Sequence, residues 1–167
     1  MRRSTNTAVA WLLAIAWGGF IWGLGSDDFS MNSTSRFLGP LVDWLSPNWT
    51  AAQKQWALVA MRKLAHVGEY ALFALLVGRA VARAFSLRMR FVALGALAAV
   101  GLLAVADEAR QAISQMRTGS PLDVLLDISG GLLALALLFA VRRCLRRPLF
   151  TRPAPPVPSV PPGARPA

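Results

Sequence analysis

The hydrophobic and polar positions of this chain alternate on the scale of whole helices. Four long apolar runs, each with few or no charges, are separated by polar or basic segments. A helix rises about 1.5 Å per residue, so about 20 apolar residues cross the hydrocarbon core of a bilayer. The pattern predicts an all-α fold, an integral membrane bundle of four transmembrane helices. The predicted spans cover residues 8–25, 64–85, 91–109 and 122–141.

The segments outside these runs have two different characters. Residues 37–45 form an apolar cluster that predicts a short interfacial helix in the first outer loop. Trp49 and Trp56 follow at about two helical turns from each other, which is typical of an interfacial anchor. Residues 148–167 are rich in proline and predict a disordered cytoplasmic tail. Residues 1–147 are therefore predicted to be one membrane domain.

The first apolar run has an alternative interpretation as a cleaved signal peptide, because the basic start Met1-Arg2-Arg3 precedes it. No A-x-A-like cleavage site follows the run, and its three tryptophans are atypical of a signal peptide. We therefore expect it to be a retained membrane span.

Composition and charge agree with a membrane protein. The chain has 55% apolar residues, a formal charge of +10 and a single cysteine, so an intramolecular disulfide is excluded. The arginines cluster at the edges of the apolar runs, which indicates membrane topology and not a nucleic-acid surface. If the chain crosses the membrane four times, three basic segments fall on the same side. They are the N-terminal pair Arg2-Arg3, the Arg83–Arg90 turn and the Arg142–Arg147 block. We predict an inner-membrane, multi-pass protein with both termini cytoplasmic, whose partner is the lipid bilayer and not nucleic acid.

Candidate chemistry concentrates between Val105 and Gly131, which holds half of the chain's eight acidic residues. Gln111 lies one helical turn beyond Asp107 and Glu108 and can face the same point. A second pair of acids, Asp123 and Asp127, is spaced i and i+4 in the first turns of the predicted last span. Ionisable residues this close to hydrocarbon are functional candidates by default.

A second polar cluster opens the second span. Lys63, His66 and Tyr70 share one helical face, and Glu69 lies beside them. The predicted topology brings this cluster to the outer face, together with the end of span three and the start of span four. We therefore expect one shared polar site at the extracytoplasmic end of the bundle.

At these residues the chain resembles the VanZ-like family of small membrane proteins, named for a teicoplanin-resistance accessory protein. One departure is Met116, where relatives often have a proline-glycine turn. The resemblance implies a multi-span helical protein and contact with cell-envelope precursors. It extends over about half of the chain and rests on the following elements: Lys63-x-x-His66-x-x-x-Tyr70, Asp107-Glu108-x-x-Gln111, Arg117, Asp123-x-x-x-Asp127 and Gly130-Gly131.

Three functions remain open at this point. The first is binding or shielding of a lipid-linked envelope precursor or an amphiphilic drug. The second is an enzyme in which His66 is the general acid or base, Asp107 or Glu108 is its partner, and Lys63 with Arg117 holds an anion. The third is a polar network that only fixes helix packing. The candidate binding residues are Lys63, Glu69, Tyr70, Gln111, Arg117, Asp123 and Asp127.

A metal or cofactor is not expected. A lone histidine without a second histidine or a cysteine at ligand spacing is a weak metal signal. The carboxylates are therefore interpreted as ligand-binding or acid–base groups.

Overall fold

The computed structural model describes residues 2–26, 31–113 and 120–145. Within these ranges the chain forms α-helices and no β-strand, which confirms the predicted all-α membrane fold. The helices are α1 (Arg2–Leu24), α2 (Met31–Leu45), α3 (Ala51–Ala84), α4 (Met89–Ile113) and α5 (Pro121–Leu145). All except α2 are long and apolar enough to cross a membrane. The predicted disordered tail, residues 148–167, lies outside the described residues.

The short helix α2 corresponds to the interfacial helix predicted in the first loop, although it begins earlier, at Met31. It packs on the first turns of α3, where the Lys54 Nζ atom donates to Asp43 Oδ1 at 2.7 Å. The helix α3 begins at a capping box. The Thr50 side chain accepts from the Gln53 backbone N–H, and the Gln53 side chain accepts from the Thr50 backbone N–H.

The helix α3 is one continuous element of 34 residues, where the sequence indicated a helical start near Thr50 and a separate span from Leu64. No proline or cap residue interrupts the chain between these two points. At about 1.5 Å per residue the helix is about 51 Å long, well beyond the 30 Å or so of a bilayer core. The helix α3 is therefore longer than a straight crossing of the hydrocarbon core requires.

Contacts of α3 with its neighbours define the direction of each helix. Arg83 Nη1 donates to the Asn6 carbonyl near the start of α1, and Trp17 Nε1 donates to the Glu69 carbonyl at 2.9 Å. The helices α1 and α3 are therefore antiparallel. Gly130 of α5 lies against Val67 of α3. The Lys63–Asp123 ion pair, which precedes that contact on both helices, shows that α3 and α5 are parallel.

The core between the spans is built largely from small residues. Ala74, Ala96, Val100 and Ala104 are fully buried, and Gly131 packs against Val100 and Ala74. Small side chains let helix backbones approach closely, and dispersion contacts then drive association in lipid. This close packing fixes the relative position of the polar residues on α3, α4 and α5.

Candidate functional site

The polar side chains predicted to converge do lie at one end of the bundle. The middle of α3 and the start of α5 are joined there by Lys63 Nζ and Asp123 Oδ1, 2.7 Å apart. The end of α4 meets the start of α5 because Glu108 Oε2 accepts from the Ser120 backbone N–H at 2.7 Å. The two contacts bring the three predicted clusters to the same level of the bundle.

His66 and Asp127 form the contact across the α3–α5 interface. His66 Nδ1 lies 3.4 Å from Asp127 Oδ1, within ion-pair range if the imidazole is protonated. The geometry does not meet that of a hydrogen bond, and Nδ1 has no hydrogen-bond partner among the described residues. The carboxylate neighbour of His66 is thus Asp127, and no hydrogen bond or ion pair of the described chain joins His66 to Asp107 or Glu108.

Asp127 is a buried carboxylate without hydrogen bonds. Its exposed fraction is 1%, and neither Oδ1 nor Oδ2 has a hydrogen-bond partner within the ranges that the structure describes. The Tyr70 hydroxyl is in the same condition, with an exposed fraction of 0% and no partner. Burial of a polar group without compensation is costly, and of a charge far more so. A buried group without a partner needs a physical explanation, and a functional site supplies one.

Asp107 is equally buried but fully satisfied. Its Oδ1 atom accepts from Arg110 Nη2 at 2.8 Å, and its Oδ2 atom accepts from Gln111 Nε2 at 2.7 Å. All three residues belong to the last turns of α4. With both oxygens engaged by its own helix, Asp107 has the surroundings of a structural carboxylate.

Arg110 extends the same network to α1. Its Nη2 atom donates to the Trp22 carbonyl at 2.7 Å, and its guanidinium lies 4.4 Å from the centre of the Trp22 ring. A cation beside the last carbonyls of a helix is favourable, and stacking on tryptophan adds a cation–π contribution. Gly25 follows directly, and a Cβ atom there would overlap Asp107 and Arg110. The Asp107–Arg110 pair therefore anchors the end of α1.

Glu108 and Lys63 also have protein partners. Glu108 accepts from the backbone N–H of Ser120, the residue before α5, and lies at a helix N-terminus, where an acid is favoured by the helix dipole. Lys63 is half exposed and forms an ion pair with Asp123, with Nζ and Oδ1 2.7 Å apart. Glu69 is half-buried beside His66 on α3. Arg117 and the departing residue Met116 lie outside the described residues.

Two features of this region were not anticipated as site residues. Arg110 lies three residues after Asp107, a spacing that already indicated a pair within one helix. Trp22 and Gly25 belong to the first span, and no sequence signal linked them to α4. Among the described histidines, cysteines and acids, no group of three or more is arranged to hold a metal ion.

Replacement of Arg110 by glutamine should lower the free energy of unfolding, because the buried Asp107 carboxylate would lose its charged donor and the end of α1 its cap. We expect a loss of about 1–3 kcal/mol, measured by equilibrium unfolding in detergent micelles. The matched control is Arg36→Gln on the exposed surface of α2, which should change stability by less than about 0.5 kcal/mol. Equal losses in the two variants would contradict the anchoring role.

A comparison with known proteins identifies one family. The family model described as VanZ/LLP1 matches residues 10–142, well over half of the chain. Every described polar residue of the site lies inside the matched range. No curated protein and no solved structure matches the chain.

Proposed function

Because the chain belongs to the VanZ/LLP1 family, we propose that it binds or shields a lipid-linked cell-envelope precursor or an amphiphilic drug such as teicoplanin. The ligand is bound by the polar site where α3, α4 and α5 meet. The observation that carries the proposal is the buried Asp127 carboxylate without a hydrogen-bond partner in the described part of the chain. A group left unsatisfied in the protein alone is available to a ligand.

The site is proposed to face the outside of the cytoplasmic membrane. Arg83 lies in the last turn of α3, Arg88 and Arg90 flank the start of α4, and Arg142 and Arg143 lie in the last turns of α5. All of them are at the end of the bundle opposite His66. The positive-inside rule assigns the basic end to the cytoplasm. A lipid-linked ligand in the outer leaflet then reaches the polar end laterally, with its apolar part against the lipid-facing helices.

A topology measurement tests this orientation. An alkaline phosphatase fusion inserted after Ser120 should be active, since that enzyme works only outside the cytoplasm. A fluorescent protein fused after Leu145 should fluoresce from the cytoplasm. The control is an insertion after Leu87, between α3 and α4, which should leave the phosphatase inactive. An inactive phosphatase after Ser120 together with an active one after Leu87 would contradict the proposal that the site faces the outside.

Ligand binding is tested with the purified protein in lipid nanodiscs. Teicoplanin and a polyprenyl-linked envelope precursor are titrated separately against the wild type, Asp127→Asn and the control Asp43→Asn. We expect saturable binding of at least one ligand, weakened about tenfold or more by Asp127→Asn, which corresponds to about 1.4 kcal/mol. The control should bind as the wild type does. Absence of saturable binding of both ligands, or equal binding by Asp127→Asn, would overturn the proposal.

A second candidate function is acid–base catalysis on an envelope lipid, favoured by the proximity of His66 and Asp127. A carboxylate beside one imidazole nitrogen orients the ring and leaves Nε2 for a substrate. In this version Asp127, and not Asp107 or Glu108, is the partner of His66. Mass spectrometry of the bound precursor after long incubation distinguishes the two functions: a product that is absent with His66→Gln favours catalysis, and unchanged precursor favours binding.

A further inference from the structure

The groups left without partners between α3 and α5 have one chemical property in common. His66 Nδ1, the Tyr70 hydroxyl and both oxygens of Asp127 can each accept a hydrogen bond. Two of the cationic side chains nearby already have carboxylate partners, although the Arg110 Nε atom has no hydrogen-bond partner among the described residues. Lys63 is paired with Asp123, and Arg110 with Asp107 and the Trp22 carbonyl. Within the described residues, the site offers acceptors and negative charge to a ligand.

The same side chains form a polar path into the bundle, which we call the α3–α5 seam and define by Lys63, Asp123, His66, Asp127 and Tyr70. Side-chain exposure is 51% for Lys63 and 35% for Asp123, then 21% for His66 and 1% for Asp127. Tyr70 is fully buried. Exposure therefore falls along the seam from Lys63 and Asp123 towards the unpaired acceptors.

Neighbouring charges add to the negative character of the seam. Glu69 lies on α3 beside His66, and Glu108 and Asp107 come from the end of α4. A positively charged ligand group would gain from Asp127 and Glu69, whereas the charge of Asp107 is already balanced by Arg110.

We propose that the α3–α5 seam binds a primary ammonium group of an amphiphilic ligand, with Asp127 as its counter-ion and Tyr70 and His66 as neutral acceptors. An ammonium group has three N–H donors and no acceptor, which matches one carboxylate and two neutral acceptors. A quaternary ammonium has no N–H donor and is instead recognised by aromatic faces. This inference rests on the proposed function, because it names the chemical group by which the site recognises its ligand.

Two sources can supply such a group: the amine of an envelope precursor or drug, and the headgroup of a bilayer aminolipid. Both present the same ammonium chemistry at the membrane surface. The experiment therefore tests first whether the site recognises an ammonium group, and then whether a bilayer lipid supplies that group.

The chain offers two unique spectroscopic probes for this test, because His66 is its only histidine and Tyr70 its only tyrosine. Protein labelled with ¹⁵N-histidine is placed in nanodiscs of phosphatidylglycerol, and the imidazole signals are followed during titration. The three probes share one tail: dodecylamine, dodecyltrimethylammonium and dodecanol. We expect saturable shifts with dodecylamine and at least tenfold weaker effects with the other two.

The matched variants are Asp127→Asn and Asp43→Asn. Asp127→Asn should abolish the response to dodecylamine, and Asp43→Asn, on the exposed surface of α2, should retain it. Tyr70→Phe should weaken the response severalfold. In a second sample labelled with ¹⁵N-tryptophan, the Trp17 indole signal, which reports the contact between α1 and Glu69, should stay unchanged in each variant and so confirm that the fold is intact.

Equal responses to dodecylamine and dodecyltrimethylammonium would overturn the proposal, since charge alone would then explain binding. So would a response retained in Asp127→Asn. When phosphatidylethanolamine replaces phosphatidylglycerol, a signal already shifted before titration identifies the aminolipid as a source. An unshifted signal that still responds to dodecylamine assigns the site to amines outside the bilayer lipid. Both outcomes support ammonium recognition.

The binding experiments also distinguish a failure of the ammonium inference from a failure of the proposed function. An envelope ligand that binds while dodecylamine does not would remove only the ammonium inference. Dodecylamine that binds while neither teicoplanin nor the precursor does would remove the proposed ligand class and leave the ammonium site in place.

Discussion

Alanine at position 130 should lower the free energy of unfolding, although alanine favours a helix over glycine by about 1 kcal/mol. A Cβ atom on Gly130 would overlap the Val67 carbonyl oxygen and lie 3.0 Å from the Val67 carbonyl carbon and Cα atom. These are backbone atoms of α3, so relief requires the two helices to separate. We expect a net loss of about 1–3 kcal/mol in equilibrium unfolding followed by tryptophan fluorescence.

Two further glycines provide a graded control. Gly68 follows Val67 on the same helix, and a Cβ atom there meets no described atom within 4 Å. Gly68→Ala should therefore be neutral or stabilising by up to about 1 kcal/mol. A Cβ atom on Gly131 would meet Val100 side-chain atoms at 3.2 and 3.3 Å, which a side chain can partly relieve. A loss at Gly68 as large as that at Gly130 would contradict the close-contact explanation.

The fold could be predicted because its determinants are local in sequence. Apolar run length and the arginine clusters indicated four spans and their alternation, and the structure has four such helices. The Ser120-Pro121 pair predicted the start of α5, which begins at Pro121. The length of α3 was less clear, because an aromatic-rich amphipathic segment and an apolar span gave two different patterns within one helix.

The sequence indicated which residues belong to the site, but not which side chains contact one another. Asp107 and Asp127 have the same character in sequence, both acidic and both within a turn or two of an apolar run. Their environments differ because helix rotation and the close Gly130–Val67 contact decide which side chain meets which. Asp107 finds donors within its own helix, whereas Asp127 faces His66 across an interface. Such contacts between distant segments leave no periodic signal in the chain.

The difference between these two aspartates leads to opposite expected effects of one substitution. Asp107→Asn should lower the free energy of unfolding by about 1–3 kcal/mol, because an amide cannot accept from both Arg110 and Gln111. Asp127→Asn should raise it by about 1–2 kcal/mol, since the change removes a buried charge that has no hydrogen-bond partner among the described residues. The two variants are isosteric and equally buried, so they control for one another.

We expect the more stable of these two variants, Asp127→Asn, to be the one that loses ligand binding. Asp127→Asn should lose ligand binding while accumulating in the membrane at the wild-type level, because a binding group held unsatisfied before the ligand arrives costs stability that the ligand restores. The ligand should accordingly raise the unfolding free energy of the wild type but not of Asp127→Asn. Unfolding of both variants with and without ligand, measured together with binding, checks each sign. If Asp127→Asn destabilised the protein as much as Asp107→Asn does, Asp127 would belong to a satisfied structural network, and the seam between α3 and α5 would be packing alone.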